Sequence, residues 1–306
     1  MNVAVTGATG FLGRYIVNHL RDRGDRCRCW YRPESDRGGF TDGQPPIEWV
    51  PGALGDRDSH GALVTGADAV VHSALHRPGR RFRGGEGDLE SFVEQNVLGS
   101  ISLIQAARRA GVPRFVFIST CAVHEVILDD RPLDEAHPLW ATSHYGAHKA
   151  AIEQFVHSHG LGDGYDICAL RPTGIYGVAR PTAESKWYRL VHEVADGKPQ
   201  RVDQGGKEVH AADVARAVGI LLTAEGTAGQ AYNCYDRYVS EYEVASLARQ
   251  ISGSQAAIDG QTRTPTHQID TSKLRSLGME FGGQRRLRET IEQLLNDEPD
   301  RGDGRE

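Results

Sequence analysis

The chain has 306 residues, 39% of them hydrophobic and 25% charged, enough for one large or two small domains with a sizeable core. A formal net charge of -6 offers no basic surface for nucleic acid. The longest apolar runs, such as 115–118, fall far short of the ~20 residues that span a bilayer, and no partner in the membrane is expected.

The N-terminus lacks a basic region followed by a long apolar core, so no signal peptide is expected. Five cysteines, an odd number scattered over a long chain, do not form a disulfide framework. A cytoplasmic location is the expectation.

The first strand is expected at 3–5, and it runs straight into Thr6-Gly7-Ala8-Thr9-Gly10-Phe11-Leu12-Gly13. Glycines at 7, 10 and 13 between a strand and a helix form the phosphate fingerprint of a dinucleotide site. They make a tight turn, let the backbone approach a pyrophosphate and let helix and strand pack closely. The helix N-terminus then turns its N–H groups toward the anion. Gly7, Thr9, Gly10, Phe11, Leu12 and Gly13 are therefore candidate cofactor residues.

The helix at 11–23 follows, its apolar stripe carried by Leu12, Tyr15, Ile16, His19 and Leu20. A second strand at 27–31 ends Trp30-Tyr31-Arg32-Pro33, with no carboxylate before Glu34. A carboxylate at this place holds a ribose hydroxyl, whereas an arginine suits a 2′-phosphate. Arg32, assisted by Arg14, points to NADP over NAD. Strands at 47–50 and 69–71 come next, with Asp56 between them placed to accept from an adenine amino group.

The loop 77–87 carries four arginines and four glycines directly after the fourth strand. A long helix is expected over 88–110, where Phe92, Val93, Val97, Ile101 and Ile104 recur at helical spacing. The fifth strand, 115–118, ends at Ser119-Thr120. A helix over 143–159 buries Ile152, Phe155 and Val156.

That helix begins Tyr145-Gly146-Ala147-His148-Lys149, and a spacing of four puts Tyr145 and Lys149 on one face. A free phenol titrates near ~10 and cannot act as a base at neutral pH. A neighbouring ammonium favours phenolate and lowers that value. The tuned phenol can then exchange a proton with a substrate oxygen. Thr120 is the candidate hydroxyl for holding that oxygen, with Ser119 as competitor.

A sixth strand is expected at 167–170. Past residue 172 the regularity falls, with helices near 183–196, 211–224, 240–252 and 285–296. The expected fold class is α/β, a Rossmann doubly wound parallel sheet with a smaller C-terminal substrate-binding cap. The NAD(P)-binding domain is expected over 1–177, with elements returning from about 209–235. The smaller region spans 178–306, and its charged, Gly-rich tail 297–306 is expected to be disordered.

These motifs together resemble the extended short-chain dehydrogenase/reductase family of NAD(P)-dependent epimerases and dehydratases. The resemblance rests on residues 6–13, Gly55-Asp56, His72-Ser73-Ala74, 96–100, 117–120, 145–149, 171–177 and 210–215, in the right order along most of the chain. It implies hydride transfer at a secondary alcohol or ketone of a polar, sugar-like small-molecule substrate. By the same resemblance Tyr145 is the acid/base, Lys149 binds the nicotinamide ribose and lowers the phenol's pKa, and Thr120 orients the substrate. Ser73 and Ala74 pass beside the cofactor, Asn96 supports the site, and Pro172 with Ile175 flank the nicotinamide. A homodimer through the helices at 88–110 and 143–159 is also implied.

The pattern breaks in places. Gly206 stands where nucleotide-sugar enzymes of the family carry a diphosphate-gripping arginine, with Lys207 beside it. His124 and Glu125 replace the usual Tyr-Gly. His76, Arg77, Arg81 and His124 are the candidate substrate contacts, and the arginines suit a carboxylate or phosphate. No metal spacing occurs among the thirteen histidines. A ketone or aldehyde reductase of the dihydroflavonol-reductase type is the alternative activity, and a non-catalytic NAD(P)-binding redox sensor the alternative of another class.

Overall fold

The computed structural model describes residues 1–42, 45–79, 84–262 and 264–297. The chain forms two compact units. The first comprises Met1–Thr173, Val214–Cys234 and Ile269–Glu280; the second comprises Gly174–Asp213, Tyr235–Gln268 and the chain from Phe281 onward.

In the first unit β1 (Asn2–Thr6) leads to α1 (Phe11–Asp22) and β2 (Arg26–Tyr31). Then come β3 (Glu48–Pro51), α2 (Asp58–Val64) and β4 (Ala69–His72). α3 (Leu89–Val93) passes through a wide π-helical turn, Glu94–Leu98, into α4 (Gly99–Arg109). β5 (Arg114–Ile118), α5 (His144–His157) and β6 (Asp166–Pro172) complete the run.

The second unit takes β7 (Gly174–Tyr176), α6 (Tyr188–Ala195), β8 (Gln200–Val202) and β9 (Gly205–His210). α7 (Ala211–Leu221) starts in the second unit and ends in the first, where β10 (Gln230–Cys234) follows. β11 (Arg237–Ser240), α8 (Glu241–Ser252), β12 (Ile258–Gly260) and α10 (Gly283–Asn296) belong to the second unit, and α9 (Ser272–Ser276) to the first.

The large sheet runs β10-β6-β5-β4-β1-β2-β3, every neighbour parallel. Its strands read as continuous apolar runs because helices cover both faces. Val70, Phe115, Phe117, Ile167 and Ala169 meet Leu103, Ile104, Ile152 and Val156 in one core. Strand order reverses between β1 and β4, which opens a crevice at their carboxyl ends. The expected doubly wound parallel sheet is the fold observed.

In the second unit β9 pairs antiparallel with β11 and parallel with β7, and β8 pairs with β12. Val191, Val194, Val244, Leu247, Leu287, Ile291 and Leu294 from α6, α8 and α10 form a separate core.

Three local readings differ from the periodicity. The helix expected at 183–196 begins only at Tyr188, because Trp187 takes a left-handed conformation at φ 66 and interrupts the turn. The expected 88–110 helix runs as one helical path but widens to a π-helical turn at 94–98. On α5, Phe155 is 39% exposed while Glu153, outside the expected stripe, is fully buried. The chain leaves the first unit after Thr173, so Ile175 lies in the second.

Candidate active site

Gly7 adopts φ +70, and a Cβ there would lie 2.8 Å from the Ala74 nitrogen. A Cβ on Gly13 would lie 2.0 Å from the Gly7 carbonyl oxygen, so α1 packs directly on the turn. The Gly10 N–H donates to Gly7 O at 3.0 Å and closes the turn. Gly10 caps α1 without a side chain. A cradle that a single methyl would fill, at a helix start, fits a pyrophosphate. Thr9, Phe11 and Leu12 are half-buried around it.

The loop is tied to β4 by an ordered array. Thr6 Oγ1 accepts from the Ser73 and Ala74 N–H groups at 3.2 and 3.1 Å, and Ser73 Oγ donates to Thr6 O at 2.7 Å. Both lone pairs of the Thr6 hydroxyl are then taken. We therefore assign its hydrogen to His72 Nδ1, 2.7 Å away. His72 Nε2–H donates to Ser100 Oγ at 2.8 Å, and Ser100 donates to Asn96 O. Burial drives the His72 pKa well below its ordinary value. Asn96, carried by the wide turn, accepts from His76 N–H at 2.8 Å and donates to His76 O at 2.9 Å. It clamps the backbone that leads into Arg77.

The start of α5 is fixed from three sides. Ser143 caps it, accepting from Gly146 N–H at 3.0 Å. The Glu125 carboxylate accepts from Ser143 N–H at 2.7 Å and from the hydroxyls of Thr142 and Ser143 at 3.0 Å. A Cβ on Gly146 would lie 2.5 Å from Ala122 O, so only glycine lets the helix sit this close to the turn Cys121–Val123. Thr120 caps that turn, accepting from Ala122 N–H at 3.1 Å, and still has its own hydroxyl hydrogen to give. Ser119 Oγ is committed to Glu153 Oε1. This favours Thr120 over Ser119 as the substrate-facing hydroxyl.

Lys149 is 5% exposed and donates from Nζ to Ile118 O at 2.8 Å, with the Phe117 ring 4.6 Å away. Burial lowers its pKa to about 7, and Glu153 opposes the fall. Tyr145 stacks tilted against His148, ring centroids 5.3 Å apart. His148 is 4% exposed and meets Phe92 edge-on at 4.9 Å. Among the described residues neither of its ring nitrogens reaches a hydrogen-bond partner, and burial lowers its pKa to about 3. The Arg77 guanidinium lies in electrostatic reach of the Tyr145 phenol, which favours its charged form against burial.

Other expected residues take different places. Arg14 spends its guanidinium on Gly38 O, Asp36 O and Asp36 Oδ2 at 2.9, 2.8 and 3.1 Å, so it is bound to the 36–38 loop. Arg32 is 56% exposed and pairs with Glu34 at 3.0 Å. Asp56 is exposed in the turn before α2. His124 is 6% exposed, with Nδ1 on Pro138 O at 3.2 Å and Nε2 accepting from Arg171 at 3.1 Å. Both its nitrogens are used within the protein, which turns it from a substrate contact into a support. Pro172 is buried at the end of β6. Arg81 lies outside the described residues. In the second unit, a Cβ on Gly206 would lie 2.6 Å from a Glu208 oxygen, and that carboxylate pairs with Lys186. The buried Glu153–Arg171 pair escaped sequence reading; its signal was an acidic residue one turn after Lys149 on the same helix face.

The NAD dependent epimerase/dehydratase family matches residues 3–234 of the chain. A 3 beta-hydroxysteroid dehydrogenase/Delta 5-->4-isomerase of Mycobacterium tuberculosis is 31% identical over 247 residues, 75% of this chain and 63% of that protein. The low-salt glycan biosynthesis protein Agl12 of Haloferax volcanii is 29% identical over 296 residues, 92% of this chain and 93% of that one. The UDP-glucose 4-epimerase of Thermus thermophilus, solved with NAD, superposes with a TM-score of 0.77 at 22% identity, covering 97% of this chain and all of that chain. The chain belongs to the NAD dependent epimerase/dehydratase family.

Proposed function

We propose that this protein catalyses NAD(P)-dependent hydride transfer at a secondary alcohol or ketone of a polar, sugar-like substrate. The carrying observation is Lys149, buried one turn after Tyr145 with its ammonium on Ile118 O, at the strand end that continues into Thr120. Tyr145 exchanges the proton of the substrate oxygen, Lys149 stabilises the phenolate, and Thr120 donates to the same oxygen. The nicotinamide, when bound, supplies or accepts the hydride.

We take NADP as the preferred cofactor. An exposed pair such as Arg32–Glu34 is weak, and a 2′-phosphate competes for the guanidinium on favourable terms. The carboxylate beside Gly206 suits a substrate without a diphosphate at that point. Leu89, Val93, Leu98 and Phe155, 39–45% exposed on α3, the wide turn after it and α5, support a homodimer. Five free cysteines support a cytoplasmic location.

Mixing enzyme, candidate ketones and reduced cofactor should consume absorbance if turnover releases the cofactor, and leave it unchanged in an epimerase. With NADP preferred, Arg32→Ala should raise the KM for NADPH about tenfold or more and leave that for NADH alone; equal effects, or none, would remove Arg32 from 2′-phosphate recognition. Arg77→Ala should raise the KM for a carboxylate- or phosphate-bearing substrate by about ten- to a hundredfold. An unchanged KM removes Arg77 from substrate recognition.

A further inference from the structure

Arg171 is 1% exposed and Glu153 fully buried. Arg171 Nε donates to both Glu153 oxygens at 3.1 and 3.0 Å, and Nη2 donates to Oε2 at 2.6 Å. Nη1 donates to His124 Nε2 and to Glu135 O, each at 3.1 Å. Ser119 adds a further bond to the carboxylate.

Taking two charges out of water costs several kcal/mol per ion, and an apolar pair of the same shape is often as stable. Stability alone therefore does not account for this pair. Its placement does. Glu153 follows Lys149 by one helical turn on one face of α5. Lys149 holds Ile118 O while Glu153 holds the hydroxyl of the next residue, Ser119. The helix thus grips the end of β5 twice, immediately before Thr120.

We propose that Glu153, held in place by Arg171 and Ser119, is a positioning residue that keeps Lys149 charged and fixes the strand end carrying Thr120. This rests on the reading of Tyr145 and Lys149 given above. The groups around Lys149 are consistent with it. His72 on β4 and His148 on α5 are buried and stay neutral at physiological pH. Tyr145 is the partner phenol, and Arg171 on β6 is neutralised by Glu153 itself. Glu153 is the charge that counters the desolvation of Lys149.

The full chain labelled with 13C at lysine Cε reports the protonation of Lys149 directly, its signal identified by loss in Lys149→Met. Glu153→Gln should lower the Lys149 midpoint by about one pH unit, a tenfold change. Glu153→Asp should restore most of it. If Glu153→Gln does not fold, Glu153→Gln/Arg171→Met replaces the ion pair with a neutral one, and a smaller downward shift is expected, because the lost Arg171 charge acts in the opposite sense. A midpoint that stays in place or rises in either folded variant overturns the proposal. Turnover surviving in Tyr145→Phe would instead overturn the functional reading, and would leave this titration as it is.

Discussion

Tyr145→Phe is expected to slow turnover by about a hundredfold to ten-thousandfold, the range set by loss of a positioned proton donor. The substitution keeps the ring and its packing on His148. It removes only the hydroxyl, so the site keeps its shape and its charge on Lys149. Cofactor binding should persist, because the glycine cradle and the Thr6–His72 array lie on other elements. The check is single-turnover kinetics alongside cofactor titration of the same variant. Wild-type turnover in the variant would mean that another group moves the proton, and Thr120 alone cannot, being a poor acid without a tuned partner.

His148→Leu is expected to make the protein markedly less sensitive to acid. In the folded state His148 titrates at about 3, against an ordinary value of 6.5. Below 6.5 the unfolded chain takes up a proton that the native state refuses. Stability is therefore lost as pH falls from 6.5 toward 3, and at pH 4 this one residue accounts for about 3 kcal/mol. Leucine fills a similar volume without a ring nitrogen that finds no partner. The difference in urea midpoint between pH 7 and pH 4 should shrink in the variant. His124 at about 4, His210 at about 3 and His72, pushed well below the ordinary value by burial, carry acid sensitivity of the same sign that remains in the variant. An acid loss as large as the wild type's would show that His148 is protonated in the fold at little cost.

Much of the fold was legible because continuous β-branched runs and 3.6-residue stripes report burial directly. The parallel, doubly wound character of the sheet followed from alternation with helices. The wide turn at Glu94–Leu98 was not legible, since an extra residue in one turn leaves the stripes on either side intact. Nor was the return of the chain to the first unit at Ile269, where a lone bridge to Leu133 and side-chain contacts to β10 hold a stretch with no periodicity of its own.

In the candidate site, Tyr145 and Lys149 were legible from spacing, and the glycines from their fixed offsets. Residues whose role depends on a partner distant in sequence were not. Arg14, expected to assist Arg32 at a 2′-phosphate, is instead taken up by the 36–38 loop that folds over it. Glu153 and Arg171 lie 18 residues apart in sequence, and no local pattern pairs them until the sheet brings them together.

The array from Thr6 through His72 to Ser100 has a one-way sense. Each member hands its hydrogen onward, and the Thr6 oxygen has no lone pair left to receive one back. A second proton on the His72 ring would therefore collide with a hydrogen already there. The glycine turn after β1 is in this respect insulated from acidification: its shape stays the same over the range in which a free imidazole would change charge.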